Sequence, residues 1–65
     1  MSLRELRQRA GLLQADVAKK LNVAQASVSY WESGATRRIS RKYHKKLAKL
    51  FHCTVDELLN AMKEG

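Results

Sequence analysis

Gln14–Ser33 reads QADVAKKLNVAQASVSYWES, and its apolar residues fall at offsets that predict two short helices crossing at a steep angle over a tight turn. Val17 and Leu21 supply the inner face of the first helix, and Ala18 is small enough to let the second approach. Asn22 stands at the turn, because asparagine is the commonest residue other than glycine to tolerate a left-handed backbone. Val23, Val28 and Trp31 then close the apolar centre. These requirements hold jointly, so the pair of helices sets the frame into which the flanks must fit.

The flanks read as three more helices. Ser2 with Glu5 forms a capping box, with Met1 and Leu6 as the hydrophobic staple around it, so a first helix starts at about Leu3. Leu3, Leu6 and Ala10 share its inner face, Gly11 suits a left-handed cap, and Leu12 plugs the core beyond it. The second helix is expected over Gln14 to Leu21 and the third over Gln25 to Ser33, with Gly34 as terminator and a loop at 35–39. Ser40 is the expected N-cap of a fourth helix that aligns Tyr43, Leu47, Leu50 and Phe51 on one dry side. Thr54 with Glu57 repeats the capping box and Cys53 with Leu58 the staple, placing a fifth helix from about Val55 that includes Leu58, Leu59 and Met62. Five helices account for nearly all of the chain, so the expected fold class is all-α, one compact five-helix domain over residues 1–65.

Sixty-five residues bury only about 60% of the surface their unfolded chain exposes, which argues against a deep catalytic cleft. A single cysteine, Cys53, forms no intrachain disulfide and fits a reducing cytoplasm. No apolar run reaches the roughly 18 residues of a membrane span, and no signal-peptide plan is present. The formal charge of +7 on so small a body points to a polyanionic partner. That charge is uneven: seven basic residues and no acid lie between Arg37 and Lys49, whereas Asp56, Glu57 and Glu64 make the C-terminal stretch acidic.

LeuArgGluLeuArg at 3–7, AlaGlyLeu at 10–12, GlnAlaAspValAla at 14–18, TrpGlu at 31–32 and ValAspGluLeuLeu at 55–59 together resemble, in order and register, the phage-repressor and Cro-like helix-turn-helix family. This is the xenobiotic-response-element family of bacterial and phage transcriptional regulators. The resemblance implies the five-helix repressor fold with helix three in the major groove of DNA, and a structural ion pair between Arg7 of helix one and Glu32 at the end of helix three. A charge on the inner side of each helix is tolerable if the two meet. The sequence departs from the family in two places. Leu13 stands where Ser, Thr or Asn usually caps helix two and touches phosphate, and the stretch from Gly34 to Leu47 is slightly long, with arginines in place of a common proline.

On helix three, Gln25, Ala26, Ser29, Tyr30 and Ser33 lie opposite Val28 and Trp31, free to meet base edges. Glutamine donates and accepts together, matching adenine N6 and N7, and the Ala26 methyl suits a thymine methyl. Gln25, Ala26 and Tyr30 also match the family's base-contact positions, so the expected base readers are Gln25, Ala26, Ser29 and Tyr30. Tyr30 has a plainer reading, covering the junction of helices one and three. Ser27, with Gln14 beside the amides that open helix two, is expected on the phosphates, as are Arg37, Arg38 and Lys42. Lys45, Lys46 and Lys49 share the basic helix, but it displays its lysines on several sides.

His44, His52 and Cys53 have spacing that fits neither a zinc site nor a nucleophile with its base, so no metal, cofactor or catalytic residue is expected and the chain does not read as an enzyme. One domain covers half a site, so the expected partner is a palindromic double-stranded DNA operator bound by a homodimer whose reading helices stand about 34 Å apart. By elimination of the basic face, the dimer contact falls on helix five, with Leu59 and Met62, and on the preceding Phe51–Cys53 turn. The setting implied is the cytoplasm of a bacterial or phage-infected cell, at the nucleoid. Two competing readings remain. An antitoxin-like module using the same fold to grip a protein would need an exposed apolar patch, and an RNA or membrane binder would need free aromatics or a wide apolar helix face.

Overall fold

Short helices hold only where their ends are satisfied and their apolar faces meet. The computed structural model describes residues 2–34 and 39–64. Among these it contains five α-helices, α1 (Leu3–Arg9), α2 (Gln14–Leu21), α3 (Gln25–Glu32), α4 (His44–Leu50) and α5 (Val55–Glu64), and no strand. The capping box at α1 is complete: the Glu5 amide donates to Ser2 Oγ at 3.2 Å and the Ser2 amide to Glu5 Oε1 at 2.9 Å. At α5 the Glu57 amide donates to Thr54 Oγ1 and the Thr54 amide to Glu57 Oε1, both at 3.0 Å. Met1, the other half of the expected first staple, lies outside the described residues.

Three helices end in the same way. Gly11, Asn22 and His52 take positive φ of 73°, 58° and 55°, and after each the next amide reaches back five residues: Leu12 to Arg7 at 3.2 Å, Val23 to Ala18 at 2.9 Å, Cys53 to Ala48 at 2.9 Å. This is the Schellman arrangement, and each following residue, Leu12, Val23 or Cys53, packs against the core. Gly11 and Asn22 were expected in this role; His52 was not, although histidine is among the few types other than glycine enriched at positive φ.

The core is continuous across all five helices. Leu6, Val17, Val28, Leu47 and Leu58 are completely enclosed, with Leu3, Ala18, Leu21, Trp31, Phe51 and Ala61 around them. Ile39 lies outside any helix, as expected, yet is buried in this core. One expectation needs correction. Ser40 does not cap an α-helix with its side chain; the chain first tightens into a 3-10 turn at Arg41–Tyr43, closed by the Tyr43 amide on the Ser40 carbonyl at 3.0 Å. That turn sets the Tyr43 ring against Trp31, centroids 6.0 Å apart, and α4 starts only at His44. The third helix likewise ends at Glu32, with Ser33 as its cap.

Candidate nucleic-acid interface

The periodicity of α3 fixes which side chains it can offer. Val28 and Trp31 are 2% and 5% exposed and hold the inner face, so Gln25, Ala26, Ser29 and Tyr30 all emerge on the solvent side. Tyr30 is 54% exposed. Ser27 is half-buried. Ser33 Oγ donates to the Tyr30 carbonyl at 2.8 Å, which ties this hydroxyl to the end of the helix. The outward surface is therefore one glutamine, two small residues and a phenol, a set able to approach base edges closely.

What holds α3 at a defined angle is Glu32. Its carboxylate is 1% exposed at the end of a helix where the macrodipole is already negative, a costly place for an anion unless cations meet it. Arg7 meets it with a fork, Nε to Oε2 at 2.6 Å and Nη2 to Oε1 at 3.3 Å. Its third nitrogen, Nη1, donates to the Leu12 carbonyl at 2.7 Å, so all of the guanidinium is used. Gln14 Nε2 adds a contact to Oε1 at 3.1 Å and Arg4 Nε another at 3.3 Å. Burial alone would raise the Glu32 pKa; the hydrogen bonds from Arg7, Gln14 and Arg4 and the Arg7 charge outweigh it and leave the carboxyl below its ordinary value. Helices α1, α2 and α3 are thus joined through one carboxylate.

Neither Arg4 nor the tie from Gln14 emerged from the sequence. Arg4 stands three residues before Arg7, on the same face of α1, and that spacing is the available signal. Gln14 opens α2, and its amide nitrogen is held by Glu32. At that opening the Leu13 amide donates to Asp16 Oδ2 at 2.8 Å, but leucine has no side-chain acceptor to return. Ala24 before α3 offers none either. The first amides of α2 and α3 therefore lack a side-chain cap.

Of the basic residues assigned to phosphate, Lys42 is exposed with its Nζ 5.2 Å from the Tyr43 ring centroid, a cation–π contact that steadies it. Arg37 and Arg38 lie outside the described residues. Lys45, Lys46 and Lys49 are exposed along α4. The His44 ring is half-buried and its Nε2 is enclosed without a partner. Burial, followed by the Glu57 charge, pushes the Cys53 thiol up against a smaller opposing effect of Arg9, the reverse of what a nucleophilic cysteine needs. Among the described residues no three His, Cys, Asp or Glu gather where they could hold a metal ion, and no helix is long and apolar enough to cross a membrane.

A family model for the helix-turn-helix matches residues 3–58, from the first residue of α1 into α5. No curated protein and no solved structure matches the chain.

Proposed function

The chain belongs to the Cro/C1-type helix-turn-helix family and is thereby a DNA-binding transcriptional regulator, and we propose that it acts as a Cro-like repressor that lays α3 in the major groove of a palindromic operator. In this reading Gln25, Ala26, Ser29 and Tyr30 meet base edges, while Gln14, Ser27, Arg37, Arg38 and Lys42 position the domain on phosphates. The observation that carries it is the division of α3. One side is locked to the core by Val28, Trp31 and the Glu32 carboxylate, and the other is free, small-featured and polar. The uncapped openings of α2 and α3 add backbone donors suited to phosphate oxygens.

A single α3 supplies few base contacts, so two copies are needed for a selective site. Leu59 on α5 is 36% exposed, whereas Phe51 is taken into the core; the proposed homodimer contact therefore centres on α5, with Cys53 at the turn's edge. The action proposed is occupancy of DNA in the cytoplasm, at the nucleoid, without catalysis or cofactor. Selection of binding sites from random duplexes tests it: the expected result is a two-fold symmetric motif whose preferred bases change when Gln25 is replaced by Ala. Enrichment of no motif would refute sequence-specific reading. Sedimentation that remained monomeric both alone and on operator DNA would refute the dimer.

A further inference from the structure

Helices α1, α2 and α4 end around one open groove of about 420 Å³. Its floor is apolar, formed by Ala10, Leu12, Leu21 and Leu50, and its rim carries Lys20, Lys46 and Lys49. We propose that this groove docks an acidic amphipathic segment of a partner protein while α3 remains free for DNA.

The rim and the floor make different demands, and together they select the occupant. Lys20 and Lys49 sit in or near the last turns of α2 and α4, where a cation complements the helix dipole. That accounts for their place but not for their ammonium groups: among the described residues none of the three lysines pairs with a carboxylate. The floor in turn leaves Leu12 and Leu50 only half-covered. A small free anion would satisfy the lysines and ignore the leucines. Nucleic acid would do much the same, since it presents phosphates outermost and has no long aliphatic side chains to fill the floor. A helix or strand with two or three apolar side chains flanked by Asp or Glu meets both demands, the apolar contacts supplying affinity and the charges orientation.

The groove also stands apart from the reading surface. Gln14, tied to Glu32 of α3, opens α2, and Lys20 lies six residues further, about 9 Å along the helix axis. A segment seated there need not touch Gln25, Ala26, Ser29 or Tyr30, so the protein can hold DNA and a partner together. Occupancy of the groove does not depend on which operator is read.

The probe is a helical peptide with leucines at i, i+3, i+4 and i+7 and glutamates between them, titrated into the whole chain while backbone amide resonances are recorded. The expected shifts fall on Leu12, Leu21 and Leu50, and replacing the peptide's leucines by alanine abolishes them. Lys20→Glu with Lys49→Glu is expected to weaken the peptide about tenfold, with the slope of log duplex affinity against log salt retained. Charge reversal at two helix ends can also disturb folding, so the Lys20→Gln and Lys49→Gln pair, checked by circular dichroism, is expected to give a smaller weakening in the same direction. The proposal is overturned if the shifts map to α3 alone, if the alanine peptide binds equally well, or if both lysine pairs leave peptide affinity unchanged. A flatter salt dependence of duplex binding in the lysine variants would assign these lysines to phosphate and overturn it as well.

Discussion

Glu32→Gln isolates the electrostatic part of the joint between α1, α2 and α3. Glutamine keeps the shape of the side chain and can still accept hydrogen bonds at one oxygen, but it leaves the Arg7 guanidinium, 10% exposed, without a counter-charge. The Arg7 Nε contact to Oε2 at 2.6 Å and the Gln14 contact to Oε1 at 3.1 Å then compete for a single acceptor, and one must face an amide instead. Removing one partner from a buried pair costs about 3–5 kcal/mol; because both arginines keep an acceptor, we expect the lower end, about 3 kcal/mol. A domain of this size has roughly 3–10 kcal/mol to lose, so the variant should unfold at a much lower urea concentration, followed by circular dichroism at neutral pH. The pH dependence gives an independent check. The Glu32 carboxyl titrates below its ordinary 4.5 in the folded chain, so its contribution is fully present above about that pH and is lost as pH falls through the lower folded value. Protonated Glu32 resembles glutamine, and the gap between wild type and variant should close in acid. A loss under about 1 kcal/mol, or a gap that does not change with pH, would refute the reasoning. Arg7→Met combined with Glu32→Met should recover most of the loss, since a well-packed apolar pair can replace a buried ion pair.

His52→Gly should stabilise the chain by about 0.5–1 kcal/mol, because glycine adopts the φ of 55° without the steric cost that histidine bears; thermal unfolding would show a rise of several degrees, and a fall would mean that the imidazole makes a contact of its own. Leu13→Ser places an acceptor before α2 where none exists and should add about 0.5–1 kcal/mol, with tighter duplex binding if this amide cluster meets phosphate; unchanged unfolding would show that solvent already satisfies these amides. Arg37→Ala should lower the slope of log affinity against log salt by nearly one unit, with the selected base motif unaltered. An unchanged slope would remove Arg37 from the phosphate contacts.

Where residue chemistry had only one use, the sequence was legible. Ser2 with Glu5 and Thr54 with Glu57 forecast two helix starts, and Gly11 and Asn22 two helix ends, because each residue type satisfies backbone groups that nearby residues cannot. The inner positions of α2 and α3 followed from period alone. Legibility failed where a local preference was overruled by packing. Ser40 is a good cap, yet the chain there tightens into a 3-10 turn that sets Tyr43 against Trp31. Ile39 has no periodic neighbours to mark it as core, and histidine's enrichment at positive φ is too slight to have marked His52 as a helix end.

Five helices, the order in which they come, the crossing of α2 and α3, the outward face of α3 and the uneven positive charge were all readable from the chain, since they depend on spacing and residue type within a few turns. The tertiary structure decided which distant groups meet. The family resemblance had already paired Arg7 with Glu32; the fold added Arg4 and Gln14 to the same carboxylate, and it drew the ends of α1, α2 and α4 around a common groove. Those contacts join residues that lie far apart along the chain, and their distances are set by how the core packs, a quantity that no local pattern contains.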